Sequence, residues 1–181
     1  MNENVLLQQV RQLGADQAAI LDVALMPFEP RFRQMCKQNA CGMYGRNWMC
    51  PPDVGPIETL IAGARCYKRA LVYQIVTSLE DCYDFEGMLE AGRRINLLSR
   101  DIRQNLSACF GPGPLYLGAG ACRACERCTK MTGQPCRAPE QAMPSMESYG
   151  LDVSRLAELC GMRYINGPDT VTYFGTVLFR K

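Results

Sequence analysis

The fold of this chain is decided by residues 69–108, RALVYQIVTSLEDCYDFEGMLEAGRRINLLSRDIRQNLSA. The first part, residues 69–77, is an apolar run rich in β-branched and aromatic residues, and it predicts a buried β-strand. The second part, residues 84–108, repeats apolar side chains at helical spacing along one face, and Asp84 stands where it can cap the helix. A strand followed by a long amphipathic helix indicates a sheet that is layered with helices.

Weaker patterns on both sides of this stretch predict the other elements. Near the C-terminus, Asn166-Gly167-Pro168-Asp169 separates two short apolar runs and predicts a β-hairpin formed by residues 162–165 and 171–179. The remaining expected elements are helices over residues 3–13, 56–65 and 153–160, a short helix or turn before Cys36, and strands over residues 17–24 and 115–117.

The order of these elements favours an α/β or α+β architecture. We predict a single domain over residues 1–181, with a mixed β-sheet of four to five strands, helices layered on it, cysteine-rich loops and a C-terminal β-hairpin. No apolar run approaches the length of a membrane span, and the N-terminus has no secretory signal pattern. We therefore expect a cytoplasmic protein without a membrane partner.

Cysteine and histidine content narrows the chemistry, because the chain has 11 cysteines among 181 residues and no histidine. The lack of histidine excludes Ser-His-Asp and Cys-His catalysis, histidine-ligated zinc enzymes, 2-His-1-carboxylate iron sites and Rieske centres. The odd number of cysteines argues against complete pairing in internal disulfides. In a reducing compartment, patterned cysteines indicate metal binding or catalysis.

The stronger motif is the second cysteine segment, residues 122–136, which reads CRACERCTKMTGQPC. Its spacing is C-x2-C-x2-C-x7-C, formed by Cys122, Cys125, Cys128 and Cys136. Three cysteines at steps of three residues suit a loop that wraps one [4Fe–4S] cluster, as in bacterial ferredoxins. The wider last gap lets Cys136 return to the same cluster or reach a second one.

Zinc is the alternative metal for the second cysteine segment. Structural zinc sites with four cysteines usually divide them into two C-x2-C pairs about 12 to 20 residues apart. A run of three close cysteines fits that arrangement less well, so the spacing favours iron–sulfur over zinc, and both over a segment that binds no metal.

The first cysteine segment, residues 36–50, contains Cys36, Cys41 and Cys50 in the spacing C-x4-C-x8-C, followed by two prolines. Gly42 and Gly45 are expected to bring backbone N–H groups close to sulfur, which would stabilise thiolate. The aromatic residues Trp48 and Tyr44 are expected either to shield a metal site from water or to lie in the ordinary core.

Three local cysteines leave the fourth ligand of the first cysteine segment open. It can be a remote thiol, Cys136 crossing over from the other segment, or a ligand that the protein does not supply. The last option would allow a substrate to bind at an open iron. The remote thiols are Cys66, Cys82, Cys109 and Cys160, and for each of them burial as a small apolar residue is the commoner role.

Basic residues concentrate around both cysteine segments, although the net charge of the chain is only +2. Residues 31–50 contain four basic and no acidic residues, and residues 122–137 contain four basic residues and one acidic residue. Basic side chains offset the negative charge of thiolate-bound metal centres. They also favour an acidic redox partner, such as a ferredoxin-like or flavodoxin-like carrier, whereas no nucleic-acid-binding motif is present.

Taken over nearly the whole chain, these motifs resemble an uncharacterised prokaryotic family of predicted metal-binding proteins, the domain of unknown function 2284. The resemblance rests on Cys36, Cys41, Gly42, Tyr44, Gly45, Trp48, Cys50, Pro51 and Pro52, on Cys122, Cys125, Cys128 and Cys136 followed by Arg137, Pro139 and Glu140, and on Pro144-Ser145-Met146-Glu147 and Gly150-Leu151-Asp152-Val153. It implies a metal-binding, iron–sulfur type of protein and no assigned reaction.

Three functions remain open on the sequence alone. The favoured one is a redox protein with one or two [4Fe–4S] clusters that passes electrons to a partner or to a substrate at an open cluster. The alternatives are a zinc-binding structural or regulatory module and a carrier that donates its metal or cluster to another protein. Glu140 and Glu147 are candidate acid–base groups, although surface or capping roles are commoner for such carboxylates. The sequence does not decide whether the protein is an enzyme, nor its oligomeric state.

Overall fold

The computed structural model describes residues 2–180 and is built around a four-stranded β-sheet. The strands are β1 (Gln17–Asp22), β2 (Arg69–Ser78), β3 (Leu115–Leu117) and β4 (Thr170–Phe179). Their spatial order is β1–β2–β4–β3, and every neighbouring pair is antiparallel. Met1 and Lys181, which the predicted domain includes, lie outside the described residues.

Five α-helices accompany the sheet: α1 (Glu3–Gln12), α2 (Phe32–Lys37), α3 (Ile57–Ala64), α4 (Phe85–Phe110) and α5 (Val153–Leu159). Side-chain caps start three of them: Asn2 accepts from the N–H of Asn4 at 3.0 Å, Asp84 from that of Gly87 at 2.8 Å and Asp152 from that of Arg155 at 3.1 Å. Among the helices within residues 2–180, none has both the length and the apolar character needed to cross a membrane.

Helices cover both faces of the sheet. Alternate side chains of β2 point to opposite sides and therefore pack in two separate core clusters. Leu71, Tyr73 and Ile75 pack in one core cluster with residues of α1 and α4. Ala70 and Val72 pack in a second cluster with residues of α3 and α5. Burying an apolar side chain contributes about 1.5–3 kcal/mol, so these two clusters are the main source of stability.

The predicted α+β class, the helices and the four strands are confirmed, but the sheet is antiparallel throughout instead of mixed. The segment β2–α4–β3 is a strand–helix–strand unit whose two strands run in the same direction, as the pattern suggests. β4 inserts between them and runs the opposite way, so no two adjacent strands are parallel.

The predicted C-terminal hairpin is also wrong in its first arm, since residues 162–165 form no strand. Met162 is buried in the core with α5, and the ring of Tyr164 stacks on that of Phe174 at 6.0 Å. Burial of Met162 in this core, together with stacking of the exposed Tyr164 ring, replaces strand pairing. β4 pairs with β2 along its whole length and with β3 at Leu178, Val177 and Thr176.

Candidate metal centre

The second cysteine segment sits in a loop whose two ends meet beside β3. The N–H of Gly118 donates to the carbonyl of Pro144 at 2.9 Å, and the N–H of Met146 donates to the carbonyl of Gly118 at 3.0 Å. The Met143 side chain packs against Gly118, and its terminal methyl would lie 2.7 Å from a Cβ atom at that position. The loop over residues 118–145 therefore begins and ends at one fixed point of the sheet.

Within this loop the chain turns back after Cys128. A short 3-10 helix, Thr129–Thr132, ends at Gly133 in the left-handed conformation, with φ of 66°. The hydroxyl of Thr129 then donates to the carbonyl of Pro135 at 2.8 Å, and its carbonyl accepts from the N–H of Gln134 at 3.1 Å. These bonds return the chain toward Cys128 and so place the last cysteine of the segment beside the first three.

All four cysteines of the second segment line one small cavity of about 20 Å³. The other wall of that cavity comes from the first cysteine segment, through Asn47, Trp48 and Met49. The lining cysteines are Cys122, Cys125, Cys128 and Cys136, and each of them is partly buried. Folding therefore gathers the four predicted ligands of this segment around one space.

Two arginines of α4 hold the second segment in place. Arg100 donates to the carbonyl of Arg123 at 2.7 Å, and Arg103 donates to the carbonyl of Glu140 while its guanidinium lies 4.3 Å from the ring centre of Tyr116. Burial lowers the pKa of Arg103, while Tyr116, Tyr73, Cys122 and Glu140 act in the opposite direction. A half-buried guanidinium group thus lies near Cys122 in the folded chain.

A linking segment, residues 144–152, also anchors the first cysteine segment. The N–H of Glu29 donates to the carbonyl of Gly150 at 2.6 Å, just before α2 begins. Arg33 on α2 donates to the carbonyls of Gly55 at 2.9 Å and Ser148 at 3.2 Å. Because Arg33 and Cys36 are three residues apart on α2, they lie on neighbouring parts of the same helix surface.

The loop after α2 is closed by its own backbone. Asn39 has a positive φ of 55°, its carbonyl accepts from the N–H of Gly42 at 2.9 Å, and its side chain accepts from that of Tyr44 at 2.9 Å. The N–H of Gly45 donates to the carbonyl of Pro51 at 2.8 Å. The N–H groups of Gly42 and Gly45 themselves thus donate to backbone carbonyls of this loop, and the approach of other N–H groups to sulfur stays a prediction.

Cys50 lies close to cysteines of both segments, as the groups that affect its pKa show. Burial, together with the negative charges of nearby cysteine sulfurs, raises the pKa of the Cys50 thiol to about 12. Those neighbours belong to both segments: Cys41, Cys36, Cys122 and Cys128. The predicted ligand sets, which are far apart in the sequence, thus form one region of the molecule.

Cys36 and Cys41 occupy different environments at the start of the first segment. Cys36 is partly buried, and burial raises the pKa of its thiol while the positive charge of Arg33 opposes that shift. The Cys41 thiol is exposed. Glu147, on the linking segment, lies close enough to Cys36 to raise its pKa further, and burial raises the pKa of Glu147 itself.

Side chains of the first segment form hydrogen bonds directly to the backbone of the second. The side-chain amide of Asn47, only 2% exposed, donates to the carbonyl of Cys122 at 3.1 Å. The indole of Trp48 donates to the carbonyl of Gln134 at 3.0 Å, and its ring lies 4.3 Å from the Lys130 ammonium. Lys130 also forms an ion pair with Asp53. The pairing of the segments thus depends on residues that spacing arguments cannot detect.

Trp48 and Tyr44 belong to neither core cluster, so the interpretation of them as ordinary core residues is wrong. Trp48 lines the cysteine cavity, as expected of a shielding residue, although it comes from the other segment. Tyr44 instead lines a separate cleft beside α2.

The four cysteines outside the two segments are split by their exposure. Cys109 and Cys160 pack against the two cores, as expected of small apolar residues. Cys66 and Cys82 are exposed, and the thiol of Cys66 donates to the carbonyl of Ala62 at 3.3 Å. Burial was the wrong expectation for these two.

The donor set fits a thiophilic metal or cluster, because all eleven cysteines are free thiols and seven of them lie in this region. Within residues 2–180, no three cysteine or carboxylate side chains are grouped closely enough to hold a single metal ion. The thiols of the second segment are instead distributed around the cavity.

The chain has an α+β fold in which two cysteine-rich loops contact each other, and this arrangement is typical of a metal-binding protein. The chain belongs to the family DUF2284, described as predicted metal-binding protein, whose family model matches residues 19–179. No curated protein and no solved structure matches the chain.

Proposed function

We propose that this protein is an iron–sulfur redox protein in which the second cysteine segment holds a [4Fe–4S] cluster. The observation that carries the proposal is the cavity lined by Cys122, Cys125, Cys128 and Cys136. Four thiolates around one space are the ligand set of a cubane cluster, and the C-x2-C-x2-C run is typical of ferredoxin loops. When bound, such a cluster supplies one-electron transfer.

The spacing of the cysteines along the sequence supports a cluster over zinc. Zinc sites with four cysteines usually divide them into two C-x2-C pairs. Cys122, Cys125 and Cys128 instead follow one another at steps of three residues, as in ferredoxin loops. The fourth cysteine, Cys136, lines the same cavity as these three.

We propose that Cys36, Cys41 and Cys50 hold a second cluster through three thiolates. Cys136 lines the cavity of its own segment, which speaks against its crossing to the first. The fourth position would then take an oxygen ligand or a molecule from outside, where a substrate could bind. Because Cys50 lies beside Cys122 and Cys128, electrons would have a short path between the two centres.

The surrounding charges support this chemistry and its partner. Arg100 and Arg103 approach the second segment from α4, Lys130 lies over Trp48, and Arg33 faces Cys36. Cations so placed offset the charge of thiolate-bound clusters. We propose that the whole domain works in the cytoplasm and docks an acidic carrier of ferredoxin or flavodoxin type.

The test is anaerobic purification followed by iron, sulfide and zinc analysis and electron paramagnetic resonance. We expect about four iron and four sulfide per cluster, and loss of one spectral signal in Cys125→Ala. Cys50→Ala should remove a different signal, whereas Cys82→Ala, at an exposed cysteine outside both segments, should change neither. A colourless protein with stoichiometric zinc contradicts the proposal. If both variants remove the same signal and iron totals about four, the segments build one site.

The exposure of Cys41 favours a second candidate function, that of a cluster carrier. A ligand that solvent and other proteins can reach is suited to exchange with an acceptor's thiol. Transfer of iron and sulfide to an apo-ferredoxin faster than spontaneous loss would support this candidate. Electron transfer without cluster loss would leave the redox function in its place.

A further inference from the structure

A cleft of about 530 Å³ lies beside the first cysteine segment and has no role in holding the thiols. α2 forms one wall and the first turn of α3 forms the opposite wall. Tyr44 from the first cysteine segment and Pro52, two residues after Cys50, complete it. The volume lies in the range of about 300–1,000 Å³ that is usual for small-molecule sites.

Positive charge dominates the lining of this cleft. Arg31, Arg33 and Lys37 contribute three cations, and Glu58 is the one carboxylate that lines it. Arg33 and Lys37 are four residues apart on α2, so both face the same side of the helix. The field inside a concave, basic surface attracts and concentrates anions.

Nearby carboxylates do not neutralise these cations. Arg31 is 72% exposed and reaches Glu29 only at 3.9 Å, which is a weak surface contact. Lys37 forms no ion pair within residues 2–180. The two terminal nitrogens of Arg33 donate to backbone carbonyls, and its buried Nε has no hydrogen-bond partner.

The rest of the lining is apolar. Pro30, Pro52, Pro56 and Ile57 form a rigid surface between the charged groups. Prolines and isoleucine cover the apolar part of a ligand without losing much side-chain freedom. The cleft is therefore better suited to an organic anion than to a small inorganic one.

We infer that this cleft binds a small organic molecule that carries a carboxylate or phosphate group. Arg31 and Lys37 would bind the anionic group, and the proline and isoleucine surface would cover its apolar part. Arg33, which lines the cleft, is three residues before Cys36 on α2, so the cleft neighbours the part of the helix surface that carries this thiol. A reaction of this ligand at the metal rests on the proposed function, but its binding to the cleft does not.

The experiment is isothermal titration of the anaerobically purified, metal-loaded protein with four probes at constant ionic strength, one of which is inorganic phosphate. Phenyl phosphate and benzoate carry the anionic group, and benzamide is the neutral analogue of benzoate. We expect saturable 1:1 binding of at least one anion, tighter than binding of inorganic phosphate, and no binding of benzamide. Affinity should fall as chloride is raised, because the contacts are exposed charges.

Matched variants locate the binding. Lys37→Gln and Arg31→Gln should each weaken binding of the anion by about two- to fivefold, the range for one exposed charge contact. Lys68→Gln and Arg93→Gln remove the same charges outside the cleft and should leave the affinity unchanged. Arg33 is left intact because it holds the loop to the linking segment.

Three results would overturn the inference: no saturable binding of either anion, benzamide binding as tightly as benzoate, or unchanged affinity in both cleft variants. Failure of the proposed function is distinguishable from these, since a protein that carries zinc instead of iron can be titrated in the same way. Likewise, a loss of the cluster signal in Cys125→Ala with unchanged anion affinity separates the cleft from the second cysteine segment.

Discussion

The side-chain amide of Asn47 donates a 3.1 Å hydrogen bond to the carbonyl of Cys122, across 75 residues of sequence. Its oxygen accepts from the N–H of Met49 at 3.0 Å, so both ends of the amide are used. One buried residue thereby orients the first cysteine segment and positions the backbone of the second. The geometry of the metal region depends on this contact as much as on the thiols.

Replacement of Asn47 should loosen the pairing of the two segments. Asn47→Ala leaves the buried carbonyl of Cys122 and the N–H of Met49 without these partners, which we expect to cost about 1–3 kcal/mol of stability. Urea denaturation of the metal-loaded protein measures this as a lower midpoint. The control is Asn105→Ala, because the Asn105 side chain bonds only to Asp101 on its own helix. That variant should be as stable as the natural chain, and equal midpoints for both variants would contradict the prediction.

The ion pair of Lys130 with Asp53 should matter more than an ordinary surface pair. Their side chains are 25% and 16% exposed, and the second carboxylate oxygen of Asp53 is buried without a partner. Lys130→Met would leave a poorly solvated carboxylate unpaired, at a cost of about 1–3 kcal/mol. The double variant with Asp53→Leu should recover part of the loss.

A matched control for that pair is Arg93→Met, because Arg93 and Glu90 are 63% and 69% exposed. An exposed pair contributes about 0–1 kcal/mol, so this variant should be nearly neutral. Trp48 emission should change in Lys130→Met, since the ammonium lies 4.3 Å from the ring centre. Unaltered emission together with unaltered stability would show that Lys130 does not pack as described.

Gly175 in β4 should tolerate no side chain. An added Cβ atom would lie 2.4 Å from the ring of Tyr73, which is fully buried and donates to Ser99 at 2.8 Å. Gly175→Ala should therefore cost about 1–3 kcal/mol through overpacking. Gly63→Ala, in α3 with nothing within 4 Å, should gain about 0.4–1 kcal/mol. Thermal unfolding compares the two, and an equal effect of both variants would contradict the packing at Tyr73.

Cys160 should resist alkylation while Cys82 reacts. Burial raises the pKa of Cys160 to about 11, so its thiol stays protonated at pH 8, whereas Cys82 is exposed. Iodoacetamide labelling followed by peptide mass spectrometry should find Cys82 modified first. Comparable labelling of the two thiols in the folded protein would count against this burial.

The raised pKa of Cys160 predicts that the stability of the folded protein depends on pH. An unfolded thiol has a pKa of 9.0 and the folded one is higher, so the folded chain holds this proton more tightly between these values. The stabilising contribution is complete below about pH 9 and is lost as pH rises through about 11. Cys160→Ala should flatten this part of the profile. A natural chain whose stability is constant up to pH 11 would exclude the effect.

Much of the fold follows from local sequence patterns. Asp84 and Asp152 cap the helices that their positions predict, and β2 lies where its apolar run indicates. Local sterics and side-chain periodicity act over one or two turns, so neighbouring residues carry this information. The first arm of the C-terminal hairpin failed because burial of Met162 in a distant core outweighed a local turn signal.

The candidate site also has a part that the sequence predicted and a part that only the structure shows. The cysteine spacing identified the candidate ligands, but it did not predict that the N–H groups of Gly42 and Gly45 donate to carbonyls of their own loop. The roles of Asn47, Asp53 and the α4 arginines had no signal in the sequence, since each contacts a residue far along the chain. Exposed or loop residues of these types are common and predict no partner by themselves.

By itself, the sequence determined the helices and strands, the thiol-only donor set and the local spacing of the candidate ligands. Tertiary structure alone decided that β4 enters between β2 and β3, and that the linking segment brings both cysteine segments together. The physical reason is the separation along the sequence over which each kind of interaction acts. Propensity and spacing act between near neighbours, whereas the meeting of Cys50 with Cys122 is set by packing, buried hydrogen bonds and charges between residues that only the folded chain brings into contact.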